Sequence, residues 1–446
     1  MTGFIIMKRQ NVKKTRTVKK KTSSKKKNNN LIFIQIASYR DPQLVPTLKS
    51  MIENAKNPDN LRIGISWQHH PEDAWDNLNE YKDDSRFRIL DINYKESKGV
   101  CWARHAVQQL YDGEQYTLQI DSHHRFVENW DEISIDMLKK LQKEGHKKPL
   151  LTAYIPSFDP DNDPAARIQE PWKMNFDRFI PEGAIFFLPA NFDSFNDKNR
   201  PARARFYSAH FAFTVGQFCT EVKHDPEYYF HGEEISIAVR AFTHGYDLFH
   251  PNKVIAWHEY TRKGRSKQWD DDPVWPERNS NCHLRNRKLF GMDGEVQDID
   301  FGEYGFGTER TLEDYEKYSG VCFGKRAIQQ YTLEHKEPAN PYPFKTQEEY
   351  EGSFLKIFKH CIDIGYDQVP EKDYDFWCVA FKDNENKDIF RQDASTDEIN
   401  RMKNDPDGYC KVWREFPTEI KPNSWVVWPH SSSKGWCDQI TGVLPG

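Results

Sequence analysis

Short apolar runs alternate with amphipathic stretches from residue 31 onward. Residues 31–37 form a nearly continuous apolar run, which is typical of a strand buried on both faces of a parallel sheet. Helical spacing follows over residues 44–55, and a second helix is predicted over residues 100–110. Further strands are predicted at residues 61–67, 87–92 and 116–120. Strands that alternate with helices in this way predict βαβ units and a Rossmann-like α/β domain.

Apolar residues show no regular periodicity over residues 156–205, which are rich in Pro, Asp, Asn and Arg, and we expect substrate loops there. Regular periodicity returns after this stretch and predicts a strand that begins at His210, a helix over residues 233–244 and a strand over residues 253–257. These elements extend the α/β domain, for which we predict the bounds 31–340.

The sequence pattern changes after the Pro-containing segment that starts at Asn340. Residues 349–446 contain short aromatic runs separated by polar turns, at 376–381, 409–413 and 424–428. Such runs are typical of a small β-sandwich. We therefore predict that the α/β domain is followed by a small, β-rich, sandwich-like domain over residues 349–446.

The net charge of -5 hides an uneven distribution. Of the 63 Lys and Arg residues, eleven lie between positions 8 and 27, which leaves 52 against 68 Asp and Glu in the rest of the chain. Residues 1–30 contain no acidic residue, so we predict a disordered basic arm that acts as a nuclear address, a weak nucleic-acid contact or a solvated tail. The acidic body gives no reason to expect nucleic-acid binding outside this arm.

Two absences in the sequence bear on its compartment. No apolar run approaches the roughly 18–20 residues that a membrane span needs, so no membrane partner is expected. The eight cysteines are scattered without a C-x-x-C pair, which is typical of free thiols in a reducing compartment. We therefore expect a cytoplasmic protein.

Candidate chemistry begins at Asp121-Ser122-His123, which follows the predicted strand at residues 116–120. At the carboxyl end of a strand both Asp121 and His123 can face the crevice where open α/β sheets bind ligands. A carboxylate with a neutral imidazole suits a divalent ion such as Mn²⁺. We look for a third ligand at His258, where a later predicted strand ends. Spacing alone leaves the site open, because an Asp-x-His pair also occurs by chance.

The surroundings of this triplet are similar to the nucleotide-sugar half of a GT-A glycosyltransferase. Gly99 precedes a predicted helix bearing Arg104, and the strand that follows ends in Asp-x-His. In such an enzyme a metal and a cation neutralise the charge that develops on a departing nucleoside diphosphate. Arg104 is our candidate for that cation, and the alternative is an ordinary salt-bridge partner.

Three segments resemble glycosyltransferase family 60: residues 36–42, residues 119–123, and residues 304–315 followed by Tyr318-Ser319-Gly320-Val321. That family includes cytoplasmic polypeptide N-acetylglucosaminyltransferases that modify a hydroxyproline. The resemblance covers about residues 31–330. It implies a GT-A fold, a UDP-GlcNAc donor and transfer to the hydroxyl of a protein acceptor.

The Asp-Ser-His triplet is also similar to that of the family 27 polypeptide GalNAc-transferases, in which an Asp, this His and a distant His hold the metal. The likeness implies Asp121, His123 and His258 as metal ligands, with Mn²⁺ or another divalent ion as cofactor. It also implies a retaining transfer from a UDP-sugar, which gives an α-linkage.

Glu233 and Glu234 follow Gly232 at the start of a predicted amphipathic helix, a segment that resembles the acceptor side of these transferases. Carboxylates there can hydrogen-bond a sugar hydroxyl or the acceptor hydroxyl. Because adjacent side chains point in different directions, we expect Glu234 in the site and Glu233 at the helix N-terminus. The alternative is that both only compensate the helix dipole.

Ser38, Tyr39, Arg40 and Asp41 follow the first predicted strand, where GT-A folds hold the uridine. Tyr39 could stack on the uracil, or Asp41 could accept a hydrogen bond from its N3–H. Asp41 could instead cap the following helix. On the resemblance, Asp121 and Ser122 also belong to the nucleotide site.

Together these features predict a metal-dependent, retaining glycosyltransferase that moves a sugar, GlcNAc by resemblance, from its UDP derivative to a hydroxyproline, Ser or Thr of a protein. Two alternatives stay open. One is a transferase of the same fold that acts on a glycan or small molecule. The other is a non-catalytic carbohydrate-binding protein that relies on the aromatic residues of the C-terminal domain.

Overall fold

The computed structural model describes residues 30–192, 199–261, 264–403, 408–418 and 420–444. The predicted basic arm therefore lies, apart from Asn30, outside the described residues. Within the described ranges no helix combines the length and the apolar character that crossing a bilayer requires.

The described chain folds into strands and helices that are numbered here in chain order. The strands of the first 355 residues are β1 (Ile32–Tyr39), β2 (Leu61–His69), β3 (Phe87–Asn93), β4 (Tyr116–Asp121), β5 (His124–Phe126), β6 (Lys148–Thr152), β7 (Trp172–Phe179), β8 (Ile185–Asn191), β9 (Ala202–Arg203), β10 (Phe211–Val215), β11 (Tyr246–His250), β12 (Ala256–His258), β13 (Val321–Cys322), β14 (Ala327–Gln329) and β15 (Phe354–Leu355). The remaining strands are β16 (Ile357–Gly365), β17 (Tyr374–Lys382), β18 (Asp388–Arg391), β19 (Ala394–Ser395), β20 (Tyr409–Pro417), β21 (Ser424–Ser431), β22 (Gly435–Trp436) and β23 (Ile440–Val443). The helices are α1 (Leu44–Glu53), α2 (Val100–Gln108), α3 (Trp130–Lys143), α4 (Phe218–Glu221), α5 (Glu233–Thr243), α6 (Gln268–Asp271), α7 (Trp275–Phe290), α8 (Leu312–Ser319), α9 (Gln330–Leu333), α10 (Gln347–Gly352) and α11 (Thr396–Met402).

A sheet of eight strands in the order β3-β2-β1-β4-β10-β6-β11-β9 organises the larger part of the molecule. Strands β3, β2, β1 and β4 run parallel, whereas β10 is antiparallel to both β4 and β6. Because β1 pairs with β4 in the register Ala37↔Asp121, the carboxyl ends of the two strands meet at one edge. The predicted α/β class is confirmed.

The core explains why the apolar runs read correctly as strands. Ile34 and Ile36 in β1, Ile65 in β2 and Leu118 in β4 are buried in one cluster, while Phe33 is buried on the opposite face of the sheet. Strands covered on both faces require nearly continuous apolar sequence. The first four predicted strands accordingly match the observed ones to within three residues at each end.

Two expectations need correction. The stretch 156–205 is not all loop, because it contains the antiparallel hairpin of β7 and β8. Met174 and Phe176 of β7 and Phe187 of β8 pack in a second buried apolar cluster, separate from the one that contains Ile34 and Leu118. The many polar and Pro residues around the hairpin concealed this apolar pattern. The strand predicted at 253–257 is β12, which is shorter and shifted toward the C-terminus because its partner β5 has only three residues.

The C-terminal region is rich in β-structure, as predicted. β16 and β20 form a two-stranded antiparallel sheet with nine paired residues on each strand, and β17 with β21 forms the centre of a second sheet. The three aromatic runs fall in β17, β20 and β21. Ile362, Trp377, Val412 and Val427 from these strands are buried in a core of their own.

Candidate functional site

The carboxyl end of β4 brings three potential metal ligands together. Asp121 ends β4, His123 lies in the turn to β5, and His258 ends β12, which pairs with β5. Asp121 Oδ2 lies 3.7 Å from His123 Nε2 and 3.6 Å from His258 Nε2. One donor atom from each residue lies within 4.8 Å of the others. The antiparallel β5–β12 pair therefore joins residues that are far apart in the sequence.

The chemistry of these groups fits a divalent ion. Within the described part of the chain, both ring nitrogens of His258 are buried without a hydrogen-bond partner, and burial holds the pKa of this imidazole well below its usual range. A neutral imidazole, with one nitrogen lone pair free, is the form that binds a metal. Burial alone would raise the pKa of Asp121, but Arg104 and His258 outweigh it and hold the pKa well below the usual range. One oxygen and two nitrogen donors suit Mn²⁺ or another borderline ion.

Asp41 fixes the orientation of His123. Its buried carboxylate accepts a hydrogen bond at Oδ2 from His123 Nδ1 (2.7 Å), and the same oxygen pairs with Arg265 Nη1 (3.1 Å). Ser122 Oγ donates to this oxygen and the Gln43 backbone N–H donates to Oδ1, both over 2.8 Å. With Nδ1 of His123 held by Asp41, Nε2 faces Asp121. Asp41 thus supports a candidate ligand, and both its oxygens are engaged by the protein rather than open to a uracil.

Arg104 connects the candidate metal ligands to helix α5. It is 5% exposed, and it donates over 2.6 Å to Glu233 Oε2 and over 2.5 Å to Asp121 Oδ1. The other oxygen of Glu233 lies 2.8 Å from His224 Nδ1. Burial alone would raise the pKa of Glu233, but Arg104 and His224 lower it to about 2. Glu233 is therefore the anionic centre of a buried ion-pair network, in addition to standing in the first turn of α5.

Glu234 lies in a different environment from its neighbour. Its Oε1 accepts a hydrogen bond from the Ala209 backbone N–H (2.9 Å), and its Oε2 accepts one from the Tyr154 hydroxyl (2.8 Å). Burial is the main influence on this carboxyl, and it raises the pKa to about 7. Near neutral pH, Glu234 can therefore exchange a proton with a group that approaches it.

Two cavities meet at Asp121 and His258, and His123 lines the first of them. A cavity of about 180 Å³ is lined by Tyr39, Asp41 and Ser122, and a cavity of about 370 Å³ is lined by Arg104, Glu233 and Glu234. Both cavities are lined by Asp121 and His258, together with Phe230 and Tyr260. A metal at Asp121 would thus stand where a molecule in the first cavity meets one in the second.

Of the remaining candidates for the nucleotide site, Tyr39 and Arg40 bond to acidic residues of the protein, and Ser38 is buried. The Tyr39 hydroxyl donates to Asp271 over 2.7 Å, and Arg40 pairs with Asp271 (3.0 Å) and Asp73 (2.8 Å). Tyr39 lines the first cavity, whereas Arg40 and Ser38 are not among the residues that line it. Ser38 is fully buried under the sheet edge.

Sequence reasoning missed Arg265, Tyr154 and Tyr260. Arg265 pairs with Asp41 and, over 2.8 Å, with Glu259. Tyr154 follows β6, while Tyr260 lies just beyond β12, two residues after His258. Of these three, Tyr260 carried a signal, because it lies two residues after a predicted ligand at a strand end.

Comparison with known families gives one match that spans well over half of the chain. A family model described as "Glycosyltransferase (GlcNAc)" matches residues 31–86 and 76–325. No curated protein sequence matches the chain.

The solved structures that match this chain have low sequence identity to it. GalNAc-T7, crystallised with UDP, GalNAc and Mn²⁺, is 13% identical with a TM-score of 0.43; the match covers 64% of this chain and 54% of GalNAc-T7. The chain thus spans about half the length of that structure. S. aureus TarS residues 1–349, crystallised with UDP, is 10% identical with a TM-score of 0.35, and the match covers 61% and 67% of the two chains. A further structure of S. aureus TarS is 10% identical with a TM-score of 0.34, and the match covers 93% of this chain and 77% of that TarS chain.

Proposed function

The chain belongs to the glycosyltransferase (GlcNAc) family, and on that premise we propose that it transfers GlcNAc from UDP-GlcNAc to a hydroxyl of a protein. Hydroxyproline, Ser and Thr are the acceptor residues we propose. The narrower assignment to glycosyltransferase family 60 and retention of the anomeric configuration are parts of the same proposal.

The observation that carries this proposal is the convergence of Asp121, His123 and His258 between two cavities. A transferase needs a donor site and an acceptor site that share the reacting bond. A cation at their junction is the arrangement that neutralises a departing diphosphate. The family match supports the same assignment independently of this geometry.

We assign the first cavity to the nucleotide and the second to the sugar and the acceptor. Mn²⁺ or another divalent ion held by Asp121, His123 and His258 would supply positive charge to the diphosphate. Tyr39 and Ser122 line the nucleotide side, and Tyr39 can pack against the base. Arg104 keeps Asp121 ionised and holds it in place.

In the proposed reaction the bond between sugar C1 and the β-phosphate oxygen breaks, and the acceptor oxygen forms a bond to C1 on the same face. The acceptor proton passes to the departing β-phosphate oxygen, so the products are UDP and an α-linked glycoside. Glu234 lines the acceptor cavity with a pKa of about 7, and it is suited to hydrogen-bond the acceptor hydroxyl. Both oxygens of Glu233 face cationic or imidazole groups of the protein, so we assign no nucleophilic role to it.

The test is hydrolysis of UDP-GlcNAc by the purified full chain with and without Mn²⁺. We expect slow release of UDP that depends on the metal and is abolished by Asp121→Ala. Asp83→Ala changes an exposed acidic residue elsewhere and serves as the matched control. Equal UDP release by wild type and Asp121→Ala would refute the metal assignment.

The donor and the acceptor need separate measurements. Mass spectrometry of products formed with mixed UDP-sugars identifies the transferred sugar, and we expect a GlcNAc mass increment. A screen of peptides that contain hydroxyproline, Ser or Thr against free sugars identifies the acceptor class. Transfer only to free sugars would overturn the protein-acceptor part of the proposal.

A further inference from the structure

The hairpin of β7 and β8 forms one wall of the acceptor cavity and continues beyond it. Phe186 and Leu188 of β8 line the cavity that also contains Glu234. The same two residues line a groove on the side of the hairpin that faces the C-terminal sheet, together with Lys359 and Trp413. The groove and the acceptor cavity therefore share these two side chains.

The exposed surface of the groove is apolar. Leu188 is 44% exposed and Trp413 is 50% exposed, and the two side chains lie together in the lining of one groove. They stand on different parts of the molecule, one on the hairpin and one on β20. An occupant that covered both would bury apolar area contributed by each part.

The charged groups of the groove largely neutralise one another. Lys359 pairs with Asp177 (2.5 Å) and with Glu415 (3.2 Å), and its Nζ lies 5.8 Å from the centre of the Trp413 ring. Arg178 pairs with its neighbour Asp177 and stacks over the Phe186 ring. The remaining cation of the lining, Arg414, pairs with Glu398 over 2.7 Å. Because each described cation of the groove has an acidic partner, an uncharged and partly apolar occupant fits best.

The backbone of β8 favours a polypeptide over a glycan. Among the described strands, β8 pairs only with β7. Its other edge therefore presents backbone N–H and C=O groups, interrupted at Pro189, which has no N–H. An extended peptide can pair with such an edge, whereas a glycan cannot form a β-ladder.

We propose that this groove, lined by Phe186, Leu188, Lys359 and Trp413, binds the acceptor as an extended polypeptide that runs from the transfer site to Trp413. An apolar or aromatic side chain of the acceptor packs on Trp413. The proposal rests on the proposed function, because it requires a hydroxyl acceptor at Glu234. Trp413 lines the groove but not the acceptor cavity, so the proposal places its contact beyond the residues that flank the modified one.

The test compares two peptide pools with the full-length protein and UDP-GlcNAc. One pool has thirteen positions with Ser, Thr or hydroxyproline fixed at the centre, and the other has three positions with the same fixed centre. We expect Trp413→Ala to raise KM for the long pool by about five- to thirtyfold, the range for losing an aromatic contact at an interface. Turnover of the short pool and acceptor-free hydrolysis should stay unchanged, and Trp413→Phe should restore most of the affinity for the long pool.

Tyr409→Ala is the matched control. Tyr409 lies on the same strand and the same face as Trp413 and is 51% exposed, but it does not line the groove. An equal effect of Tyr409→Ala, an equal loss on both pools, or no change with the long pool would overturn the groove assignment. Normal acceptor-free hydrolysis without transfer to either pool would also overturn it. Absence of UDP release by the wild type under all conditions would instead overturn the proposed function.

Discussion

Arg104 is the residue whose removal should cost the most stability at the site. Replacing it with methionine keeps a long, flexible side chain and removes the guanidinium that pairs with Glu233 and Asp121. Asp121 is partly open to solvent and can be rehydrated, but Glu233 is buried and would keep His224 as its neighbouring imidazole in place of a permanent cation. The perturbation therefore leaves a buried carboxylate without its main counter-charge.

Two routes give a similar magnitude for this loss. The pKa of Glu233 lies at about 2 rather than 4.5, and at about 1.4 kcal/mol for each tenfold change in proton affinity this amounts to about 3–4 kcal/mol. Breaking a buried ion pair by removing one partner costs about 3–5 kcal/mol in general. We therefore expect Arg104→Met to lower the free energy of unfolding by about 3–5 kcal/mol, and Tm by about 10 °C.

Thermal and urea unfolding at pH 7.5, followed by circular dichroism, measure this loss. The double variant Arg104→Met/Glu233→Gln also removes the buried, unpaired charge of the Glu233 carboxylate, so it should be more stable than Arg104→Met by about 2 kcal/mol. Arg104→Lys keeps the charge and should lie between wild type and Arg104→Met. If Arg104→Met unfolds within about 1 kcal/mol of wild type, or if the double variant gains nothing, the ion-pair reasoning is wrong.

Four further outcomes can be measured. Asp41→Asn should weaken Mn²⁺ binding about 10- to 100-fold by calorimetry, because His123 loses its orienting carboxylate, and unchanged affinity would contradict this role. Burial raises the pKa of Glu234 from 4.5 to about 7, so wild type should lose about 3 kcal/mol of unfolding free energy between pH 4.5 and pH 7 that Glu234→Gln keeps; parallel pH curves would refute this. Gly99→Ala should cost about 2 kcal/mol or more in urea unfolding, because φ is +112° and a Cβ would lie 2.8 Å from the Tyr229 carbonyl oxygen; a neutral result would refute the strain. Deleting residues 1–30 should leave UDP-GlcNAc hydrolysis intact, and its loss would place the arm in the reaction.

The part of the fold that could be predicted from the sequence is the part that local pattern determines. Strands β1 to β4 are covered on both faces, so each is a recognisable apolar run bounded by turn residues. Strand β7 alternates apolar and polar residues and β8 begins with a short apolar run, but Pro, Asp and Asn around them dominate the composition. Periodicity was present there and composition misled the interpretation.

The candidate site likewise contains residues that local sequence indicates and residues that long-range contacts bring in. Asp121 and His123 could be predicted because two residues at a strand end share a crevice, and that argument needs only local sequence. The pairing of β12 with β5, which brings in His258, is a long-range contact that no spacing encodes. The same holds for Arg265 against Asp41 and for Arg104 against Glu233. These pairs join segments of the chain that only the folded sheet brings together.

The size of the β5–β12 pair has a consequence for how the protein behaves without a cation. Only three residues on each strand pair, and one of the outermost is His258 itself. His258 also bridges Ser157 through backbone hydrogen bonds to Pro156 and Phe158, but so small an element is still expected to open locally at less cost than the eight-stranded sheet. A cation that bridges Asp121 and His258 would close it, and binding at one hundred times the dissociation constant adds about 2.7 kcal/mol to the closed state. Backbone amides of β12 should then exchange with deuterium more slowly when Mn²⁺ is added, so that hydrogen exchange reports occupancy of the site before any sugar is transferred.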